Sequence, residues 1–185
     1  MPDSSDADLI RHAQGGDVNA VGELYDRHHT RIFRYVWSQV RDEHLAEDLT
    51  GEVFVRMVTG LPNYRLQKVP FQAWLYRIAH NLTVDHYRKA SRHERVPLYH
   101  AEGQRDEEND PSSIVERQLS VEQVQRALGE LDPTQGEVVV LRFLVGLSLR
   151  EVALTLDKTV GAVKSLQYRG LVTLRAALKS GRVGQ

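Results

Sequence analysis

The stretch SLREVALTLDKTVGAVKSLQYRGLVTLRAAL, Ser148 to Leu178, decides the fold. Ser148-Leu149-Arg150-Glu151 is a capping box, in which the serine and the glutamate satisfy backbone amides that a helix start leaves free. A helix of about nine residues follows, with Val152, Ala153 and Leu156 turned inward. Leu156-Asp157-Lys158-Thr159 makes a turn, and Asp tolerates the left-handed backbone such turns often need. Thr159 caps a second, longer helix that runs to about Leu178. Two helices across so short a turn read as a helix-turn-helix. At ~100° per residue, Val160, Val163, Gly170, Leu171, Leu174 and Leu178 share a buried arc. Gly161, Lys164, Ser165, Tyr168 and Arg169 project from the other side. They are small or basic and mostly near the helix start, which suits entry into a major groove. A plain helical hairpin with a solvated face fits the same spacing, so the motif by itself leaves both readings open.

Working back along the chain, two more helix starts stand before this unit. Asp132-Pro133-Thr134-Gln135 offers an N-cap and a first-turn proline, and Ser120 to Gln123 has a capping-box pattern. Upstream of these, from Ser91 to Ser113, apolar periodicity stops. HAEGQRDEENDPSS is acidic and polar and reads as a flexible tether.

Helical spacing resumes before the tether. Phe71 to Lys89, FQAWLYRIAHNLTVDHYRK, carries Phe71, Trp74, Leu75, Ile78, Ala79 and Leu82 on one arc. Arg77, His80, Asn81, Val84 and Arg88 fall on the opposite arc, flanked by Tyr76 and Tyr87. The preceding loop, Asn63 to Lys68, repeats that mixture of basic, amide and aromatic groups. Single-stranded nucleic acid is held by such surfaces, through phosphate neutralisation and base stacking. An amphipathic helix with a solvated exterior accounts for the spacing equally well. Further back, Leu45, Leu49, Val53 and Met57 line one helix, and Val21, Leu24, Tyr25, His28, Ile32, Tyr35 and Val36 line another. His28 lies on a core arc and is expected to be a satisfied core residue. Asp42 to Val58 carries five carboxylates, which suits a basic partner helix better than a metal.

The expected fold class is therefore all-α: two small helical domains joined by a flexible acidic linker, with a helix-turn-helix in the second. The boundaries fall at 1–92, 93–113 and 114–185. The formal net charge of −1 conceals a sorted chain. Residues 1–59 hold six basic against eleven acidic side chains, and residues 60–95 hold seven against two. Residues 96–132 hold three against nine, and residues 133–185 hold eight against three. Two basic blocks point to two surfaces for a polyanion.

The absence of cysteine excludes a disulfide scaffold, a thiolate zinc site and a cysteine nucleophile. No phosphate-loop, dinucleotide or nucleophile-elbow motif is present, so no catalytic residue, cofactor or metal is expected. No apolar run reaches the ~20 residues that span a bilayer, and the polar, acidic start MPDSSDADLIRHAQGGD is no signal peptide. A soluble, cytoplasmic protein without membrane insertion is expected.

Three segments in order, AEDLTGEVFVRMV, FQAWLYRIAHNLTVDHYRK and LGELDPTQGEVVVLRFLVGLSLREVALTLDKTVGAVKSLQYRGLVTLR, resemble a bacterial RNA polymerase sigma factor of the extracytoplasmic-function group of the sigma-70 family. The resemblance covers the chain from about Asp6 to Leu178. It implies a non-enzymatic transcription initiation subunit. Its first domain would bind the clamp helices of core RNA polymerase and recognise and melt the −10 element of promoter DNA. Its second domain would bind the polymerase flap and read the −35 element. By motif position, Asp48 and Glu52 would face the clamp. Arg65, Gln67, Lys68, Arg77, Asn81 and Arg88 would face −10 DNA, and Lys164, Ser165, Tyr168 and Arg169 would face −35 DNA. An anti-sigma factor is a further partner expected of the family.

The chain departs from the family pattern in three places. Gly51 stands where Gln is usual, at ~1 kcal/mol of helix propensity against Ala. Leu166-Gln167 stands where Arg-Leu is common, so an expected basic DNA contact is apolar and a polar residue points at the core arc. Gly170 stands where Ala is usual. The rival reading is a stand-alone helix-turn-helix regulator, which would bind duplex DNA tightly without polymerase.

Overall fold

The computed structural model describes residues 4–66, 68–93 and 126–180. Among them all regular structure is helical. The first half holds α1 (Asp6–Gln14), α2 (Val18–Val40), α3 (Glu43–Gly60), a 3-10 turn (Leu61–Asn63) and α4 (Phe71–His93). The second half holds α5 (Pro133–Val139), a π-helical turn (Val140–Leu144), α6 (Leu149–Thr155) and α7 (Val160–Ser180). The linker placed at 93–113 lies outside the described residues apart from His93, which ends α4. The Ser120 cap lies outside them too.

Local chemistry sets the helix ends. Ser5 and Asp8 form a capping box at α1, and the Ser5 hydroxyl, 2.6 Å from Asp8 Oδ2, holds that carboxyl below its ordinary range. Asp17, Asp42 and Asp132 cap α2, α3 and α5 through backbone amides. Ser148 and Glu151 form the full box at α6, as their spacing predicts. Arg41 turns the chain between α2 and α3 in a left-handed conformation, φ 54°.

In the first half, α2, α3 and α4 pack around Leu24, Ile32, Val36, Val53, Met57, Leu75 and Ala79. His28 is buried as expected, with Nε2 2.8 Å from Asp6 Oδ2 and its ring edge-on to Phe71. Tyr25, expected on the α2 core arc, is exposed, and packs its ring against Phe54 instead.

The second half does not stand apart. Its core residues Val138, Leu141, Leu147, Val152, Leu156 and Val163 are continuous with those of the first half. The seam runs along α4, whose neighbours there are α6 and α5. Thr155 Oγ1 donates to the Ala73 carbonyl at 3.3 Å. Glu137 accepts the Tyr35 hydroxyl proton and lies 2.7 Å from His80 Nδ1. Tyr76, expected to flank an exposed surface, is 1% exposed and meets Tyr35 edge-to-face at 5.2 Å. A helical-wheel reading gives α4 one buried face, whereas packing gives it two.

Candidate nucleic-acid and polymerase interfaces

Placing α4 on a wheel at ~100° per residue shows what its two buried faces leave open. Phe71, Leu75, Ala79 and Leu82 face the first core. Ala73, Tyr76, His80 and Thr83 face the seam. Arg77, Asn81 and Arg88 lie together on a strip only ~40° wide between them. Asn81 and Arg88 are exposed and Arg77 is half-buried. Arg77 and Asn81 make no side-chain hydrogen bond or ion pair among the described residues, while Arg88 reaches Asp85 at 3.0 Å. Two cations and an amide on one open strip can hold a phosphate backbone and read a base edge.

The loop before α4 is built from both ends. Tyr64 is buried, stacks on Trp74 at 4.6 Å and donates its hydroxyl to the Val69 carbonyl at 2.6 Å. Burial pushes its phenol up to about 12. From the other side, Gln14 at the end of α1 donates to the carbonyls of Leu61 and Tyr64, both at 2.9 Å. The loop thus presents Arg65, Leu66 and Lys68 outward, while Gln67 lies outside the described residues. Of the three tyrosines expected at this surface, Tyr87 is exposed, with its hydroxyl donating to the Gln39 carbonyl at 2.8 Å, and the other two are not. Tyr64 and Tyr76 are both internal, because each ring packs against other aromatics. Besides Tyr87, what remains is a basic and amide surface, bordered by a cavity of about 490 Å³ lined by Arg11, Gln14, Asn63 and Arg65.

In the helix-turn-helix, Asp157 adopts φ 52° and Thr159 Oγ1 accepts from the Ala162 amide at 3.1 Å, as the turn chemistry predicts. Lys164, Ser165, Tyr168 and Arg169 all project into solvent from one side of α7. Ser165 is turned back on the Gly161 carbonyl and Arg169 on the Ser165 carbonyl. Val163 and Gly170 are buried, but Val160 and Leu171, expected beside them, are exposed. The inward face instead takes Leu166 and Gln167. Leu166 packs against the core, so its position is no DNA-contact site. Gln167 accepts a hydrogen bond from Arg142 at 3.0 Å. The face of α7 packed on α5 is centred nearer Val163, Leu166 and Gly170 than the expected arc, and Gly170 lets the helix approach Val139 and Gln135 closely.

On α3, Asp48 is exposed and Glu52 half-buried, one turn apart on one face. Glu52 is already paired with Arg56 at 2.9 Å, so Asp48 is the more open of the two acids. Val55 and Val58 lie exposed on the same helix.

The described residues thus carry a basic strip on α4, a basic and polar face on α7 and two acids on one face of α3. Residues 24–93 match Sigma-70 region 2, and residues 121–174 match Sigma-70, region 4. The chain is 37% identical over 171 residues to the ECF RNA polymerase sigma factor BldN of Streptomyces coelicolor, covering 92% of this chain and 65% of BldN. It is 32% identical over 171 residues to the ECF sigma factor SigD of Mycobacterium tuberculosis, covering 90% of this chain and 81% of SigD. It therefore spans just under two thirds of the length of BldN. Among solved structures it is similar to CnrH in complex with the cytosolic domain of CnrY, with a TM-score of 0.71 and 27% identity over 96% of this chain and 99% of that one. It shares the fold of RpoE from Bartonella quintana, solved with the anti-sigma factor NepR, at a TM-score of 0.70 and 20% identity over 88% of this chain and 98% of that one. The chain belongs to the sigma-70 family of RNA polymerase sigma factors, in the extracytoplasmic-function group.

Proposed function

We propose that this chain binds core RNA polymerase and directs promoter-specific initiation, with residues 1–92 engaging the polymerase clamp and the −10 element and residues 114–185 engaging the flap and the −35 element. The polymerase supplies the chemistry, and the chain supplies recognition. It would act in the cytoplasm, where the enzyme and its template are. Among the described residues no helix is long and apolar enough to cross a membrane.

The observation that carries this reading is the pairing of two DNA-suited faces in one chain. Lys164, Ser165, Tyr168 and Arg169 project from α7, and Arg77, Asn81 and Arg88 share the open strip of α4. Duplex reading suits the first, because a helix start fits a major groove. Strand capture after melting suits the second. Asp48 and Glu52 on α3 are the face we assign to the clamp. The acidic linker, 93–113, joins the two readers. An anti-sigma factor is the regulator we would seek first, since a protein of the same fold is solved with one.

Run-off transcription with core polymerase and a promoter library tests the proposal. Transcripts that start at discrete sites only when the chain is added support it. Duplex binding of equal strength with and without polymerase, and no added transcripts, would favour a stand-alone regulator.

A further inference from the structure

The π-helical turn Val140–Leu144 puts Arg142 behind the helix-turn-helix. Its Nε donates to Gln167 Oε1 of α7 at 3.0 Å. Its Nη1 donates to the carbonyl of Leu147, the residue before the Ser148 cap of α6. Its guanidinium carbon also lies 5.8 Å from the centre of the Phe143 ring. One side chain therefore ties the start of α6 to the middle of α7.

Gln167 lies on the same face of α7 as Val163, one turn before it, and Gly170, one turn after, both of which are buried. A polar residue at this inward position would be costly without a partner. Arg142 is that partner. A guanidinium is planar and its N–H groups point in fixed directions, so it constrains angles as well as distance. Two aliphatic side chains of similar volume would fill the space without fixing the tilt of α7.

We infer that Arg142 and Gln167 are a positioning pair, which sets the angle between α6 and α7 and so fixes how Lys164, Ser165, Tyr168 and Arg169 reach the −35 bases. This rests on the proposal that α7 reads that element. Neither residue touches DNA in this account. They act through the four that do, and Gln167 lies within three positions of all of them. Hydrogen bonds weaken steeply with angle, so a small tilt at Gln167 degrades base contacts while leaving phosphate contacts largely in place.

The test uses the full chain bound to core polymerase, footprinted on a promoter with its matched −35 element and on one with that element substituted. The ratio of the two affinities is the readout, alongside melting temperature. Gln167→Leu keeps the Arg142 charge, so any loss of discrimination cannot come from lost phosphate attraction. It is expected to lower the ratio by roughly tenfold, the scale of one good base contact. Arg142→Leu should do the same and also lower the melting temperature. The double variant, Arg142→Leu with Gln167→Leu, should regain the part of the melting temperature lost through the unpaired Gln167 amide, because a matched apolar pair removes that group, while the Leu147 carbonyl still lacks its Arg142 donor. It should not regain discrimination. A double variant that recovers both, or single variants with unaltered discrimination, would overturn the inference. Should the wild-type complex protect no −35 duplex at all, the reading of α7 fails first, and that outcome is distinct from wild-type protection with indifferent variants.

Discussion

His80 Nδ1 and Glu137 Oε1 stand 2.7 Å apart although 57 positions separate them in sequence. The same carboxylate accepts the hydroxyl of Tyr35, whose ring is buried and whose phenol is pushed well above its ordinary value, by burial first and by Glu137 second. Glu137→Ala leaves that hydroxyl buried without its acceptor, a loss of about 1–3 kcal/mol. A lower melting temperature and faster amide exchange along α4 are expected. Unchanged exchange in residues 73–87 would mean that the seam is held by its apolar contacts alone.

Two glycines respond in opposite senses to the same change. A Cβ at Gly51 meets nothing within 4 Å, so Gly51→Ala should stabilise by ~1 kcal/mol through helix propensity. A Cβ at Gly170 would lie 3.0 Å from Val139 Cγ2 and 3.3 Å from the Gln135 carbonyl. Gly170→Ala should therefore destabilise and weaken −35 binding, since α7 must back away from α5. Thermal denaturation of the two variants decides this, and equal shifts of the same sign would contradict the packing.

Alkaline pH should unfold the protein through its phenols. Burial raises Tyr64 and Tyr76 to about 12 from an ordinary 10. The folded chain holds these protons more tightly than the unfolded chain, so the stabilisation is complete below pH 10 and is lost as pH rises towards 12. Tyr76→Phe should flatten that decline. The Tyr76 hydroxyl has no hydrogen-bond partner among the described residues, so this variant should melt no lower than wild type at neutral pH. Tyr64→Phe loses its bond to Val69 and should cost ~1 kcal/mol there. Denaturant midpoints measured from pH 8 to 11 give both answers.

Asn81→Ala combined with Arg77→Ala should leave polymerase binding intact and reduce open-complex formation. Pulling a base from the stack costs a few kcal/mol, which contacts to the freed strand must offset. A template already mismatched across −10 should restore opening, as read by permanganate reactivity of unpaired thymines. Normal opening of the paired promoter by the double variant would remove the α4 strip from the mechanism.

Asp48→Arg with Glu52→Arg should abolish binding to core polymerase. The Glu52–Arg56 pair is about half exposed and lies on the helix surface, where such pairs contribute little to stability, so helical circular dichroism and melting temperature should barely move. Unchanged affinity would clear α3 of any role at the clamp.

Features that depend on neighbours in sequence were legible before the structure. The Ser148–Glu151 box, the Asp132 cap and the left-handed Asp157 each answer to chemistry within four residues. The outward side of α7 was read correctly at Lys164, Ser165, Tyr168 and Arg169 because small and basic residues cluster there. The seam was not legible. Glu137, His80 and Thr155 look like solvated surface on any wheel, and only long-range packing turns them inward. Gln167 did carry a signal, since a polar residue at a core register demands a partner, but nothing local names Arg142 as that partner. Helix α1 carried one as well, in the box formed by Ser5 and Asp8, three positions apart.

The two buried faces of α4 bear on how such a protein can change. Substitutions at Leu75 or Ala79 disturb one core, and substitutions at Ala73, Tyr76 or Thr83 disturb the other. Drift in this helix is therefore channelled towards its open side, most freely at the exposed Asn81 and Arg88 and less so at the half-buried Arg77. If the strip reads −10 DNA as proposed, those are the positions at which a new promoter preference would first be felt. In a mutational library of α4, tolerated variants should collect along that strip, so diversity in recognition accumulates while the scaffold stays the same.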